Sequence, residues 1–357
     1  MEASVSTLSP TATVGTVCSH NPITDTASGD SFFTDARWLA LIESVYGYRV
    51  TRLSARGADG EAGGELLVCA LSSPLTGRRV VSLPFSDACP LTATDSTVTR
   101  QLLDQALALG HDYRARYVEL RTGVCEALAG RDDFAASDGY VRWRMGLTGG
   151  EDAVWSQVRK PVQRQVRKAR KSGVTVRFAS SRDEMSIYHR LHVGTRSRKH
   201  GMPAQPLRFF QELWDRFGND GKVQLLLAEY EGAPIAGMVL LAAGDTVRYA
   251  YGASDDRYLH LGPNNLLMWE SITWAIGNGY HAFDMGRTAR DNEGLMNFKR
   301  GWGAVETPLT YYYAPQVAGL ASTSETSRTY QLLTACWRRL PLPVAATLGS
   351  ALYKHLG

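Results

Sequence analysis

Residues Thr246 to Tyr313 hold most of the fold information in the chain: TVRYAYGASDDRYLHLGPNNLLMWESITWAIGNGYHAFDMGRTARDNEGLMNFKRGWGAVETPLTYYY. The first part, Thr246 to Ala253, is rich in aromatic and β-branched residues and predicts a strand. Pro263 opens a segment with apolar residues at helical spacing, which predicts a helix. The chain then returns as a short apolar strand, HAFDM, and leaves it through a glycine. This order predicts an α/β unit with Asp284 and Arg287 at the carboxyl end of a strand, where open α/β sheets hold ligands.

Length and composition set the limits on what the chain can be. With 357 residues and 44% hydrophobic content it is long enough for about two globular domains. The net charge of +4 is small for this size, which argues against a DNA-coating role but leaves room for a local basic patch. The five cysteines form no CxxC pair, which indicates a reducing compartment. The sequence shows neither a secretory signal nor a run of about 20 apolar residues, so a cytoplasmic location is predicted.

The order of elements predicts an internal duplication. Residues 1–30 are mostly small and polar and predict a disordered tail. Residues 31–150 and 151–315 both read as strands, helix, strand, Phe-x-x-x-x-Gly and strand, so two tandem α/β (α+β) units are expected, each a mixed twisted sheet flanked by helices. Residues 316–357 read as a polar linker and a helical segment that packs on the first unit. The residue after the motif phenylalanine is Ala135 in the first unit but a lysine in the second.

The strongest charge feature lies between the two units. The segment WSQVRKPVQRQVRKARK, from Trp155 to Lys171, has seven basic residues and no acidic one, with apolar residues at helical spacing. Pro161 either kinks this helix or begins a second one. One interpretation is a solvated basic face, and the other is a helix that faces the phosphates of a donor. The donor-binding candidates are Arg164, Arg167, Lys168 and, in the basic loop TRSRKHG, Lys199.

Several motifs together resemble one family. The motifs Tyr249–Asp255, Pro263–Glu270, Phe283–Arg287 and Phe298–Gly303 are similar to those of the Fem-type (FemAB) acyltransferases, in particular the ones encoded with bacterial exopolysaccharide and exosortase systems. The segments LPFSD, RKARKSGV and WRRLPLP are also similar. The resemblance implies two tandem GNAT-like (acetyltransferase-like) units, which agrees with the duplication.

The resemblance also implies a reaction. Fem ligases move an amino acid from aminoacyl-tRNA to an amine of a cell-wall precursor, and their functional Phe-Lys pair matches Phe298 and Lys299. A fixed ammonium in a dry cleft stabilises the negative charge that builds on the carbonyl oxygen during such an attack. Lys299 is therefore the catalytic candidate. Without the family, a surface lysine after a core phenylalanine is the simpler interpretation.

The donor is open between aminoacyl-tRNA and acyl-CoA. GNAT enzymes hold the CoA pyrophosphate on a glycine-rich loop at a helix N-terminus. The corresponding loop here, Asp256 to Asn264, has one glycine and a proline that lacks an N–H donor, which weakens the case for CoA. Asn264 and Asn265 either bind substrate or brace the turn.

The remaining candidates each have a structural alternative. Tyr249 and Tyr251 alternate with Ala250 and are expected on one sheet face, as a cleft wall or as core. His189 and His192 lack partners at ligand spacing, so no metal is expected. The further substrate-binding candidates are Asp284, Arg287, Arg196 and Trp302.

The expected acceptor is a cell-envelope precursor, of peptidoglycan or exopolysaccharide, which is lipid-linked in some cases. The expected donor is an acyl-CoA or the acceptor end of an aminoacyl-tRNA. The protein itself is expected to be a monomer. The C-terminal helices offer a peripheral membrane contact as an alternative to packing on the first unit. A non-catalytic glycan- or RNA-binding module on the same fold is the alternative function.

Overall fold

The computed structural model describes residues 32–74, 76–315 and 328–355. The predicted tail, residues 1–30, and most of the predicted linker lie outside the described residues. Within the described ranges the chain is a mixed α/β protein, which confirms the predicted fold class. Among the helices of these ranges, none combines the length and apolarity that a membrane crossing requires.

The strands and helices follow the predicted order closely. The strands are β1 Val50–Arg56, β2 Ala62–Ser73, β3 Gly77–Ser82, β4 Thr92–Ala93, β5 Val118–Leu120, β6 Ala135–Gly146, β7 Thr175–Phe178, β8 Val223–Tyr230, β9 Ala233–Ala243, β10 Thr246–Ser254, β11 Ala282–Ala289 and β12 Val305–Ala314. The helices are α1 Ala36–Tyr46, α2 Ser96–Asp112, α3 Glu126–Ala129, α4 Gly150–Gln157, α5 Lys160–Lys171, α6 Met185–Gly194, α7 Leu207–Phe217, α8 Pro263–Gly277, α9 Glu293–Gly301, α10 Arg328–Arg339 and α11 Leu342–Leu352, with a π-helix at Thr195–His200.

All twelve of these strands belong to one sheet. The strand order is β1-β2-β3-β5-β12-β6-β11-β10-β9-β8-β7, with β4 paired to β2. The pairs β3/β5 and β10/β11 are parallel, and each is connected through a helix, α2 or α8, as parallel pairing requires. The same strand–helix–strand unit therefore occurs once in each half.

The last strands of the two halves are exchanged. β6, from the first half, pairs with β11 of the second half, while β12, from the second half, pairs with β5 of the first. β6 and β12 also pair with each other, in antiparallel register. The exchange joins what the sequence predicts as two sheets into one.

The packed cores cross the boundary between the halves. One cluster contains Trp38 of α1 together with Phe209 and Phe210 of α7, so the start of the chain packs on the second half. A second cluster lies under α5 and α8 and includes Trp143 of the first half. Burial of such large apolar side chains contributes about 2 kcal/mol each, so these shared clusters tie the halves together.

Local residues explain where helices and hairpins begin and end. The Asp35 carboxylate accepts the backbone N–H of Arg37 at the start of α1, and Gly47 ends that helix in the left-handed conformation. Glu231 and Gly232 have φ values of 51° and 75°, as the tight turn between β8 and β9 requires.

Two predictions about strands are wrong. Phe134–Gly139 is not the counterpart of the second Phe-x-x-x-x-Gly motif, because β6 already begins at Ala135 and runs on as one strand. The HAFDM strand does not end at its glycine but continues to Ala289 after a register shift.

The two tyrosines of β10 do not share a face. The pairing of β10 with β9 shifts register between Tyr249 and Tyr251. Tyr249 packs on the cluster under α8, whereas Tyr251 packs on the other cluster, against Phe209 and Phe210. A β-bulge breaks strict alternation, which is why the prediction of a common face fails.

Candidate active site

Lys299 is buried in the last turn of α9. The Asn292 side chain accepts the backbone N–H of Leu295 and so caps the helix N-terminus. Lys299 is 3% exposed, and its Nζ donates to the carbonyl oxygens of Gly286 and Arg287, both at 3.0 Å. An ammonium has three N–H donors, so one remains beyond these two bonds.

The two carbonyls belong to a kinked part of β11. Gly286 has a φ of 71°, which a residue with a side chain rarely adopts. A Cβ placed on it would lie 3.2 Å from the guanidinium of Arg248 and 3.5 Å from Asp87 Oδ2. Glycine therefore lets the backbone that holds Lys299 approach these two charged groups.

These charged groups form what we call the ion cluster, made of Asp87, Arg142, Arg248, Asp284 and Arg287. Asp284 Oδ2 lies 2.8 Å from the Arg142 guanidinium and 3.0 Å from that of Arg248. Arg248 also forms an ion pair with Asp87, whose Oδ2 accepts the backbone N–H of Arg287 at 2.8 Å. The cluster therefore links the loop after β3 in the first half to β10 and β11 in the second.

The burial of the cluster sets its charge states. Burial alone would raise the pKa of Asp284, but Arg142 and Arg248 outweigh it and hold the pKa well below its usual range. Burial would likewise raise the pKa of Asp87, but the charges of Arg248 and Arg287 lower it. Burial lowers the pKa of Lys299 to about 8, against an opposing effect of the two carboxylates. Both carboxylates thus stay ionised, and Lys299 is the group that titrates near neutral pH.

Hydrogen bonds from Tyr311 and Arg121 hold the loop that carries Asp87. The Tyr311 hydroxyl on β12 donates to the Asp87 carbonyl at 2.7 Å and accepts from Arg287 at 2.9 Å. Arg121 donates to the Ser86 carbonyl at 2.7 Å and pairs with Glu119 at 2.6 Å. Because Tyr311 lies on an exchanged strand, the strand exchange itself positions the loop.

The ion cluster meets solvent at its arginines. The side chain of Arg287 is 37% exposed and that of Arg142 is 24% exposed, whereas that of Asp284 is 2% exposed. Arg287 lies over the ring of Tyr140 at 4.7 Å. The part of the ion cluster nearest to solvent is therefore a guanidinium held on an aromatic ring.

Three of the predicted substrate-binding aromatics pack in or against the core clusters. Trp302 is fully buried, and Phe298 packs edge-on against it with ring centroids 6.4 Å apart. Tyr251 is enclosed by aromatic rings, and burial raises its pKa. These side chains support the site from within and do not face a cleft.

The start of α8 is covered by another helix. Gly262 lies against α5, with the Gln165 carbonyl 3.2 Å from the position that a Cβ would take. Asn264 donates to the Ser254 hydroxyl at 3.2 Å, so it braces the turn. For Asn265 the structure shows a backbone N–H bond to the Gly262 carbonyl at 3.1 Å. The N-terminus of α8 is thus partly covered by α5.

The basic helix α5 turns its cations outward. Pro161 lies in its first turn and begins a helix separate from α4, one of the two alternatives that the sequence left open. Arg164 and Lys168 are exposed and form no ion pair with an acidic residue of the described ranges. Arg167 lies over the Trp155 ring at 5.5 Å. Arg170, next in the helix, pairs with Glu270 at 2.8 Å.

A cavity of about 290 Å³ lies between α4, α5 and α8. Its lining includes Trp155, Arg167, Arg170 and Trp269, but not Lys299. Lys299 thus lies outside this cavity, although α5 begins beside the helix of Lys299: the Arg159 N–H donates to the Gly301 carbonyl at 2.9 Å.

Arg196 and Lys199 lie on the π-helix, away from the ion cluster contacts. Arg196 Nε donates to the Pro203 carbonyl at 3.1 Å, and Lys199 is exposed. His192 pairs with Gln205 at 2.6 Å, and burial lowers its pKa to about 3, so it stays neutral. In the described part of the chain, no group of three or more His, Cys, Asp or Glu side chains is arranged to hold a metal ion.

Four residues of this site are not among the candidates predicted from the sequence: Asp87, Arg142, Arg248 and Tyr311. Arg142 and Arg248 are charged residues within apolar strands, in YVRWRMG and TVRYAYG. A charged side chain in an otherwise buried strand needs a partner, so the sequence does indicate that these two arginines belong to a buried polar cluster. Their partners, which lie far apart in sequence, follow only from the strand pairing.

Known proteins are similar to this chain in part of its sequence and in its fold. Residues 156–300 match the family model described as an acetyltransferase (GNAT) domain. The fold is that of the crystal structure of FemX, with a TM-score of 0.62 and 17% identity over 85% of this chain and 94% of that one. It is also similar to the structure of L-PGS from Bacillus licheniformis, with a TM-score of 0.52 and 14% identity over 85% of this chain and 92% of that one.

The similar sequences share only a segment with this chain. A lipid II:glycine glycyltransferase of Staphylococcus epidermidis is 35% identical over 86 residues, which is 22% of this chain and 21% of that protein. The one from Staphylococcus haemolyticus is 34% identical over 90 residues, 24% of this chain and 22% of that protein. The chain thus spans about a fifth of the length of these relatives. The similarity predicted from the motifs is confirmed: a segment of the chain is similar to lipid II:glycine glycyltransferases, the fold is similar to that of FemX, and residues 156–300 are similar to a GNAT domain.

Proposed function

We propose that this protein is an acyltransferase of the Fem type, which joins an aminoacyl or acyl group to an amine of a cell-envelope precursor. The observation that supports it most is Lys299, a buried lysine held by two backbone carbonyls with one N–H donor left over. A surface lysine without function would have its ammonium in water. The FemAB-like sequence and fold supply the reaction class.

In the proposed reaction the neutral amine nitrogen of the acceptor attacks the carbonyl carbon of the donor. A C–N bond forms, the carbonyl electrons move to oxygen, and the remaining N–H of Lys299 donates to that oxyanion. The C–O or C–S bond to the carrier then breaks. The carrier oxygen or sulfur leaves with the proton that the amine releases, and an amide remains.

Lys299 suits this role because its surroundings are already arranged. The Gly286 and Arg287 carbonyls fix the ammonium, so little reorganisation is needed when the oxyanion forms. The Asp87 carboxylate accepts the backbone N–H of Arg287, the residue whose carbonyl also accepts from Lys299. In this proposal Asp87 is a positioning residue, and Asp284 keeps Arg248 and Arg142 in place around it.

The acceptor we propose is an amine of a peptidoglycan or exopolysaccharide precursor. The similar staphylococcal proteins are lipid II:glycine glycyltransferases, and lipid II is such a precursor. The exposed guanidinium of Arg287 beside Lys299 is suited to bind a carboxylate or phosphate of the acceptor. We place the reaction in the cytoplasm, where the donors are made, and expect a monomer.

For the donor we place aminoacyl-tRNA first. The covered N-terminus of α8 and Pro263 leave few N–H donors for a CoA pyrophosphate. The exposed cations Arg164 and Lys168 on α5 suit a polyanion. The match of residues 156–300 to the GNAT model favours acyl-CoA, which is therefore the second candidate.

The test supplies each donor to the purified protein. Radiolabelled aminoacyl-tRNA or radiolabelled acetyl-CoA is incubated with an envelope precursor that has a free amine, and the product is identified by mass spectrometry. We expect an amide from aminoacyl-tRNA. An amide from acetyl-CoA alone would replace the first donor with the second. Consumption of neither donor, together with tight binding of precursor or RNA, would contradict the enzyme proposal and support a binding module.

A further inference from the structure

The C-terminal helix α11 presents apolar side chains to solvent. Leu342 is 37% exposed, Val344 43% and Leu348 42%. The described ranges contain eight large hydrophobic residues with such exposure, and these three lie within seven positions of one another. Scattered exposed hydrophobics are ordinary, whereas a concentration on one helix marks an interaction surface.

The packing of α11 forces this orientation. Ala345 and Gly349 are buried, and a Cβ on Gly349 would lie 3.1 Å from backbone atoms of Ala204. Val344 and Leu348 are four residues apart, so they are neighbours on one side of the helix, about 100° around its axis from the buried pair. The helix itself, from Leu342 to Leu352, contains no charged residue.

Cations surround this apolar face. Residues 328–355 contain four Lys and Arg residues and no Asp or Glu. Arg338 and Arg339, exposed, precede α11, and Lys354, also exposed, follows it. Arg198 and Lys199 join the group, because Arg198 donates to the Arg338 carbonyl and Arg338 donates to the Lys199 carbonyl at 3.3 Å. None of the five forms an ion pair with an acidic side chain of the described ranges.

We propose that α11 and its flanking cations form a docking surface for an anionic lipid bilayer. An uncharged apolar helix face suits the acyl-chain boundary, and basic residues at both ends reach the phosphates of the headgroups. The lack of any acidic residue in the segment matches an anionic surface and disfavours a partner that brings its own cations. A second copy of the chain would bring the same positive charges and be repelled.

The surface is connected to the ion cluster. Tyr353, directly after α11, stacks on Phe85 with ring centroids 5.1 Å apart, and Phe85 lies two residues before Asp87. Docking through α11 would therefore hold the first-half loop of the site near the bilayer. A lipid-linked amine would then reach the site without leaving the membrane.

The experiment is co-sedimentation of the full-length protein with vesicles. We expect binding to phosphatidylglycerol–phosphatidylcholine vesicles, weaker binding to phosphatidylcholine alone, and loss of binding with added salt. The double variant Val344→Asn/Leu348→Asn should lower the partition coefficient about tenfold or more. Arg338→Gln/Arg339→Gln should lower it about fivefold per charge at low salt.

A matched control replaces two valines that are equally exposed elsewhere. Val124 is 44% exposed and Val305 51%, and Val124→Asn/Val305→Asn should leave vesicle binding unchanged. Wild-type protein that stays in the supernatant with anionic vesicles would overturn the proposal. So would an equal loss in the control variant. A dimer in the absence of lipid that dissociates in Val344→Asn/Leu348→Asn would also overturn it, in favour of self-association.

Discussion

A lysine that is 3% exposed has lost most of its hydration, and in this protein two carbonyls and two nearby carboxylates compensate only in part. Burial still lowers its pKa to about 8. Such shifts cluster at functional sites, because a group that titrates near neutral pH is useful for catalysis. At Lys299 the shift coincides with a free N–H and a FemAB-like motif.

The first prediction concerns pH. Because the pKa of Lys299 is about 8, the ammonium is present below pH 8 and lost above it. If the ammonium stabilises the oxyanion, kcat/KM for transfer should decline on the alkaline side of about pH 8, by up to tenfold per pH unit. The acid side should rise with pH as the acceptor amine becomes neutral. A value that keeps rising from pH 8 to 10 would speak against an ammonium role.

The second prediction concerns Asp87. Asp87→Asn removes one carboxylate from Arg248 and weakens the hold on the Arg287 backbone. Breaking such a buried pair should lower the free energy of unfolding by about 3 kcal/mol. Transfer should also slow, and its alkaline decline should move to lower pH, because the Asp87 carboxylate raises the pKa of Lys299. Urea denaturation followed by circular dichroism measures the first effect.

An exposed ion pair provides the control for Asp87. Arg182 pairs with Asp215, and both side chains are 46% exposed. Arg182→Gln should change the free energy of unfolding by about 1 kcal/mol or less. Equal stabilities of Asp87→Asn and the wild type would show that the ion cluster does not hold the halves together.

At this scale the sequence predicted Lys299, Asp284 and Arg287 as candidates, and the structure brings these three together. Lys299 came from a family motif and not from its spacing. Asp87 and Arg248 could not be predicted, since 161 positions separate them and their meeting depends on the fold. Trp302 is predicted as a substrate contact but is buried in the core, because the sequence alone does not show whether a given tryptophan is exposed.

At the scale of elements, the two sides of α5 have different environments. Its apolar side, with Val166 and Ala169, is buried under the α8 region, while Arg164 and Lys168 face solvent. The sequence predicted this amphipathic helix and its break at Pro161. What it could not show is that α5 covers the N-terminus of α8, because that contact depends on helix packing and not on periodicity.

The third prediction tests the cations of α5. The triple variant Arg164→Gln/Arg167→Gln/Lys168→Gln should weaken tRNA binding and reduce the slope of log K against log salt by about two to three, if the helix contacts phosphates. Filter binding at several salt concentrations measures both. The fold should be kept, because these side chains are exposed.

The matched control removes three exposed cations from the first half. Arg78→Gln/Arg100→Gln/Arg116→Gln changes the net charge by the same amount, and all three side chains are exposed. Its salt slope should stay close to that of the wild type. If both triple variants reduced the salt slope equally, the effect would come from net charge alone. That result would support the interpretation of α5 as a solvated basic face.

At the scale of the whole molecule, the exchange of β6 and β12 makes the halves interdependent. Each half needs the other to complete its sheet, and Trp38 of the first half packs against α7 of the second. The sequence predicted the α/β class and the repeated strand–helix–strand order. It could not predict the exchange, because β6 and β12 carry the same alternating pattern whichever neighbour they pair with.

The fourth prediction follows from this interdependence. Unfolding of the full-length protein should be a single transition, with coincident tryptophan fluorescence and circular dichroism curves. Leu41→Ala in α1 and Leu267→Ala in α8, both at fully buried positions, should each shift that one transition by about 2–5 kcal/mol. Two separate transitions, each sensitive to only one of the variants, would mean that the halves fold independently.

The most direct test of the account is the transfer rate of Lys299→Met, measured with the donor that the wild type uses and compared with Lys171→Met, which removes an exposed lysine from α5. We predict that kcat/KM falls at least about 100-fold in Lys299→Met and stays near the wild-type value in Lys171→Met. The unfolding midpoint of Lys299→Met should be equal to or above that of the wild type at pH 7, since a buried charge is removed. Transfer by a folded Lys299→Met variant at the wild-type rate would contradict the central claim.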